Sequence, residues 1–263
     1  MYNEKGLVYS VETLENILNG SISSNGECAV ITEKSYYKGA VSVYNKSGEE
    51  IFSRSFGSEN VIACAISPSR KLAASLLSVR TEAYSKIVLL DVNKTEEEAS
   101  IEYDNSIVFD LDYSGNRLIA YADDKIIALN SRGSEDWVYE YNNRTINHYS
   151  KDSGDVRLML FDNNNDAEMS FLSSSGKEKQ KISTDVIPDF CDICDGMVIY
   201  NNKRELYLSR PNGEVIARYS ASRDISKAYF INSDNIVVIY NQSIEFLHTK
   251  KLSKNETKMG DNQ

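Results

Sequence analysis

A repeat of about 42 residues constrains this chain more than any other feature. A turn after an apolar strand recurs at Gly26, Arg70, Gly115, Gly154, Gly196 and Asp234, spaced 38 to 45 residues apart. A second marker, a glycine closing an apolar strand, falls at Gly48, Gly133, Gly176 and Gly213, with one glycine missing near Asn93. Two independent markers share one period, and ~40–50 residues is the length of a four-stranded propeller blade. Such a unit cannot bury its apolar faces alone, so the fold must be built by stacking neighbours.

Residues 107–141 show the unit most clearly. Ile107, Phe109, Leu111 and Tyr113 alternate with Val108, Asp110 and Asp112, the period of a strand with two unlike faces. Ser114-Gly115-Asn116 turns, residues 117–122 (RLIAYA) form a second strand, and Asp123-Asp124 connects to a third at 125–129 (KIIAL). Asn130 to Gly133 turns again into WVYEY at 137–141. Four strands with connections this short make an antiparallel meander. The expected fold is all-β, a β-propeller of about six four-stranded blades, standing alone or as part of a larger seven- or eight-bladed propeller.

Residues 1–248 are assigned to the propeller and residues 249–263, polar with one Leu and one Met, to a disordered tail. The sixth unit supplies only three strands, so residues 6–10 (GLVYS) are expected to complete it beside residues 243–248.

The formal net charge is −10 and no stripe of Lys and Arg is present, which argues against a nucleic-acid partner. No apolar run reaches the ~18 residues of a membrane span, and MYNEKGLVYS lacks the basic and apolar regions of a signal peptide. Cys191 and Cys194 have C-x-x-C spacing but no further ligands or nearby His, so no metal is expected. Cys28 and Cys64 read as buried thiols. The Asp162–Asp166 stretch, with Glu168 beyond, lacks the Gly and Glu positions of a calcium loop and reads as a hairpin turn. Asp110 and Asp112 are the only paired carboxylates on a predicted innermost strand that invite an acid–base reading, against ordinary hydrogen-bonded strand aspartates. No catalytic residue and no cofactor is assigned.

ALNSRGSEDWVYEY resembles the repeat of quinoprotein-like (WD/PQQ-like) propellers, which implies that Trp137 packs between neighbouring blades. GECAVITEKSYYKGAVSVYNKSGEEIFSRSF followed by IACAISPSRKLAASLLS is similar to a bacterial, membrane-tethered propeller family of unknown function. That resemblance covers roughly residues 7–248. It implies an extracytoplasmic domain, attached to the membrane only through an anchor absent from this chain, with two further blades of the family pattern also absent. The single Trp and the absence of Gly-His and Trp-Asp pairs depart from quinone-binding and WD-repeat signatures.

KSYYKG and SVRTEAYS sit at equivalent middle connections of the first two units and exceed what a hairpin needs. Tyr36, Tyr37, Arg80 and Tyr84 are therefore expected to form one partner-binding cluster, Tyr and Arg being enriched where binding energy concentrates. The implied function is a non-enzymatic interaction or scaffold propeller of the bacterial cell envelope, binding a protein or other envelope component. The alternative is a quinoprotein-like oxidoreductase or a carboxylate-dependent hydrolase using the central channel.

Overall fold

The computed structural model describes residues 1–3, 6–79, 82–152, 156–162, 166–184 and 186–252. The chain divides into two compact units, Met1–Glu140 and Tyr141–Gln263.

The first unit holds three four-stranded antiparallel sheets: β3 (Ile17–Ile22), β4 (Cys28–Thr32), β5 (Gly39–Tyr44) and β6 (Glu50–Phe56); β7 (Asn60–Ile66), β8 (Lys71–Val79), β9 (Ala83–Asp91) and β10 (Glu97–Asp104); β11 (Val108–Ser114), β12 (Arg117–Ala122), β13 (Lys125–Leu129) and β14 (Glu135–Glu140). The second unit holds β15 (Thr145–Lys151), β16 (Arg157–Asp162), β17 (Ala167–Leu172) and β18 (Glu178–Thr184); β19 (Cys191–Cys194), β20 (Met197–Asn202), β21 (Glu205–Ser209) and β22 (Val215–Ser220); then β23 (Lys227–Asn232), β24 (Asn235–Tyr240) and β25 (Ser243–His248). Each sheet pairs its strands in chain order, as six successive propeller blades do. The fold is an all-β propeller of six units. Among its first strands, β7 meets both β3 and β11 within the first unit, as β19 meets both β15 and β23 within the second.

The middle strands read as continuous apolar runs because they are buried on both faces. In β12 and β13, Leu118 to Ala122 and Ile126 to Leu129 are 1% exposed or less. The outer strands alternate instead, with one side against a neighbouring sheet and one side wet.

The turn glycines answer to one geometry. Gly48, Gly133, Gly176 and Gly213 all have φ between +72° and +88°, and each donates its N–H to the carbonyl three residues back at 2.9–3.0 Å. A bulge follows where the third and fourth strands meet, the three-residue hairpin loop that needs a left-handed residue. The second blade lacks this glycine. Its turn is held instead by Asp91, which accepts from the Asn93 N–H at 2.9 Å and from Lys71 Nζ at 3.0 Å.

Arg70 occupies a left-handed position, φ +62°, where the first blade has Gly26 at +86°. Its strain is offset by the guanidinium, whose Nε and Nη2 both lie 2.8 Å from Oε1 of Glu27, a carboxylate only 2% exposed. The turns of the first two blades are thereby tied, with Asn25 Nδ2 also donating to the Pro68 carbonyl at 3.0 Å.

Residues 6–10 do not complete the sixth sheet. β2 (Gly6–Leu7) pairs with β1 (Tyr2–Asn3), closed by Val8 N–H to the Met1 carbonyl at 3.0 Å and the Met1 ammonium to the Tyr9 carbonyl at 2.7 Å. The reason is packing: the Tyr9 ring lies over the turn of the first blade, 3.0 Å from where a Cβ on Gly48 would stand. Among the described residues β25 pairs with β24 alone, and Ile244 and Phe246 on it are exposed. Thr249–Leu252 forms one helical turn, β25's continuation, whose Leu252 is buried in the core of the second unit; residues 253–263 lie outside the described residues. Trp137 lies on the outermost strand β14 opposite Ala128 and is half-buried.

Candidate functional site

The candidate site starts from β4 and β5, fixed by Ala29, Ile31, Val41 and Val43, all fully buried. Residues 33–38 connect them and are pinned at both ends. The Glu33 N–H donates to the Asn16 carbonyl at 3.0 Å, and the Lys38 N–H to the Phe56 carbonyl at 2.7 Å. Gly39 is required where this connection re-enters the sheet, because its φ is +139° and a Cβ there would meet Val61 Cγ2 at 3.3 Å. Between these anchors Tyr36 is held at φ +69° and is fully exposed, at 103% of its reference area. Tyr37 is half exposed, with Lys34 Nζ 5.5 Å from its ring centre.

The second predicted connection is different. β8 and β9 continue as paired strands to Val79 and Ala83, so most of SVRTEAYS is a hairpin arm. Tyr84 is a strand residue opposite Ser78 on one side and Asp104 on the other, half-buried. Arg80 lies outside the described residues. Both connections join the second and third strands of adjacent sheets, so Tyr36, Tyr37 and Tyr84 belong to the same end of the first unit. The structure places Tyr36 and Tyr37 on an exposed connection, with Tyr84 set back in its strand. Val79, beside it, is an exposed apolar residue that the sequence reading passed over.

The innermost strands carry the titratable groups. Asp110 on β11 is pushed up to about 6 by burial, partly countered by the Leu111 N–H it accepts at 2.8 Å and reinforced by the nearby Asp112 charge. In the second unit, Asp192 on β19 accepts from Ser150 Oγ of β15 and from the Phe230 N–H of β23 at 2.8 Å, tying three innermost strands together. His148 is pushed down to about 4 by burial and then by the Lys227 charge, against a backbone hydrogen bond at Cys191. It is a neutral imidazole at pH 7. No sequence motif marks Asp192 or His148; only their recurrence on first strands would have drawn notice.

The four cysteines are free thiols. Cys191 and Cys194 stand three apart on one strand, which sends their side chains to opposite faces. Burial raises the Cys64 thiol to about 12 and raises Cys191 as well, which leaves both protonated and unreactive. No group of three or more His, Cys, Asp or Glu is placed to hold a metal among the described residues. No helix among them is long and apolar enough to cross a membrane. Asp162 and Asp166 flank residues 163–165, which lie outside the described residues.

Residues 1–248 match the model of a family of unknown function, DUF5711. The chain belongs to that family. No curated protein matches the sequence. Among solved structures, the DUF5711 chain is similar to Hsv2 of Kluyveromyces lactis, with 11% identity over 89% of this chain and 73% of that one, at a TM-score of 0.61. It is similar to BamB from Moraxella catarrhalis, with 11% identity over 95% and 76%, at 0.62. A chain of the mitotic checkpoint complex matches with 12% identity over 89% and 74%, at 0.64. At these identities the likeness is one of fold.

Proposed function

We propose that this DUF5711 protein is a non-enzymatic interaction propeller that uses the Tyr36–Tyr37 connection, together with Arg80 and Tyr84, to bind a protein or other component of the bacterial cell envelope. The observation that carries this reading is Tyr36. A large aromatic side chain is fully exposed on a left-handed residue between two pinned anchors. Neither burial nor backbone preference accounts for a tyrosine there, and strained exposed positions concentrate at contact sites. The occurrence of one similar fold within the mitotic checkpoint complex fits a scaffold role. The resemblance to a membrane-tethered family supports an extracytoplasmic setting.

The test is a pull-down from intact envelope with the native protein and with a variant carrying Ala at positions 36, 37, 80 and 84. The variant is expected to melt like the native protein and to lose its partner. Retention of every partner by a folded variant overturns the proposal.

Asp110 favours a second reading, a carboxylate-dependent hydrolase or quinoprotein-like oxidoreductase. A carboxyl held near 6 can serve as acid and base at neutral pH. Turnover of a hydrolysable substrate, or a bound quinone chromophore, abolished by Asp110→Ala would establish it.

A further inference from the structure

The sixth sheet stops one strand short. In the other five sheets a short connection (45–49, 92–96, 130–134, 173–177 and 210–214) leads from the third strand to a fourth that covers its edge. After β25 the chain enters the helical turn Thr249–Leu252 instead, which packs beside β22 and buries Leu252. Residues 1–3 and 6–10 belong to the first unit, where β1 pairs with β2. Among the described residues β25 is therefore an outer strand, although its sequence, SIEFLH, is that of a middle one. Ile244 is 60% exposed and Phe246 72%, where the third strand of the fifth sheet buries Leu206 and Leu208.

The pairing with β24 specifies which backbone groups this edge offers. Tyr240 and Ser243 close a two-residue turn, and the Thr249 N–H donates to the Asp234 carbonyl at 2.9 Å. Antiparallel strands direct alternate residues toward one neighbour. Ser243, Glu245 and Leu247 thus turn their N–H and C=O groups to β24, and Ile244, Phe246 and His248 turn theirs outward. Natural edges are blunted by charge, proline or a bulge. The outer strands of the other sheets carry Arg54, Glu102, Asp136, Lys179 or Arg218. β25 has no Lys, Arg or Pro, and its pairing with β24 runs without a register shift. Its one acid, Glu245, is held on the core face by the Tyr219 and Tyr240 hydroxyls, both at 2.8 Å.

We infer that this edge pairs with itself, β25 of one chain lying antiparallel to β25 of a second copy about a two-fold axis at Phe246. That register sets Phe246 opposite the partner's Phe246 and Ile244 opposite the partner's His248. All three outward-facing residues then meet outward-facing residues, and every N–H and C=O they offer finds an acceptor or a donor. Glu245 falls opposite the partner's Leu247. Moving the axis to Glu245 sets two carboxylates face to face, which destabilises a strand pair. Moving it to Leu247 leaves Ile244 beyond the paired segment. A second copy is the occupant because the edge complements itself in this one register, with an aromatic pair at its centre and no like charges opposed. The contact lies in the second unit and does not involve the Tyr36 connection, so either can fail without the other.

The test is sedimentation equilibrium of the full chain at rising concentration, in low and in high salt. A dimer is expected, with a Kd on the order of 10 μM for so small an interface. It should tighten in high salt, because two chains of net charge −10 repel until screened. Phe246→Lys, which opposes two ammonium groups at an exposed position, should melt like the native protein and weaken dimerisation about tenfold; Ile244→Lys serves if that variant fails to fold. Tyr229→Lys, on the same face at the far end of the Tyr229–Val237–Phe246 row, should leave dimerisation unchanged. Amide hydrogen exchange should slow with rising concentration at Ile244, Phe246 and His248, and not at Glu245 or Leu247, which β24 already protects. A monomer at every concentration overturns the proposal. A dimer lost with Tyr229→Lys and kept with Phe246→Lys overturns the edge as the contact. Slowed exchange of the three outward amides only when another protein is added overturns the second copy as the occupant.

Discussion

Phe161→Ala is expected to cost about 3–5 kcal/mol and to lower the melting temperature of the second unit by roughly 10 °C. Phe161 sits on β16 with no exposed surface, and its ring holds two different neighbours. Tyr141 meets it edge-on at 5.1 Å between ring centres, and the Arg144 guanidinium lies 4.2 Å from its centroid. Arg144 in turn donates to the Tyr141 carbonyl at 2.7 Å and pairs with Glu168, a nearly buried carboxylate that Lys181 also contacts at 2.5 Å. Burial alone would raise the Glu168 carboxyl, yet hydrogen bonds from Lys181 and Arg144 outweigh it and hold the group below the usual range. Removing the ring leaves a cavity and also loosens the support of this ion cluster, so the loss should exceed that of Ile146→Ala on the adjacent strand. Equal losses in urea denaturation would show that Phe161 acts as packing alone.

Asp110→Asn is expected to stabilise the protein at pH 7 by up to about 3 kcal/mol, the difference between a folded value near 6 and the usual ~3.9. The sign follows from burial. The folded state binds this proton more tightly than the unfolded chain does, so the contribution is fully present below about pH 4. It is lost as pH rises through 6. The native and Asn proteins should therefore have similar stability near pH 4 and diverge up to pH 7. The amide keeps an acceptor for the Leu111 N–H at 2.8 Å, so geometry is preserved. Parallel stability curves across that range would contradict the buried-carboxyl account.

Much of the fold was legible because one turn chemistry repeats. Gly48, Gly133, Gly176 and Gly213 each occupy a backbone conformation that other residues rarely adopt, so their spacing reports blade length directly. The missing glycine near Asn93 was legible as a gap, and its replacement by an Asp91-centred cluster was not, because Lys71 and Glu98 converge only in the folded sheet. Also hidden were the bulges that recur in first strands, at Ile17/Asn19, Val61/Ala63, Val108/Asp110 and Ile146/His148. A bulge adds one residue without any distinctive side chain. The bulge at Val108/Asp110 interrupts strict alternation along β11, on which Asp110 and Asp112 are both half-buried.

The candidate site was half legible. Tyr36 and Tyr37 could be placed because a six-residue connection exceeds what a hairpin needs. Tyr84 could not, since SVRTEAYS reads equally as loop or as extended hairpin, and pairing of Ser78 with Tyr84 settles it only in three dimensions. Residues 6–10 failed for a related reason. An orphan strand advertises an unpaired edge without naming its partner, and Tyr9 finds a better surface over Gly48 than an open sheet edge offers.

Site-specific photo-crosslinking from position 36 tests the central proposal most directly. A benzophenone amino acid in place of Tyr36, with a matched probe in place of Lys46 on the opposite turn, is irradiated in intact cells expressing the full-length protein. The interaction account predicts a discrete protein adduct from position 36 that is absent from position 46 and disappears when Tyr37 is changed to Ala. No adduct above background at position 36, or the same adducts from both positions, would contradict it.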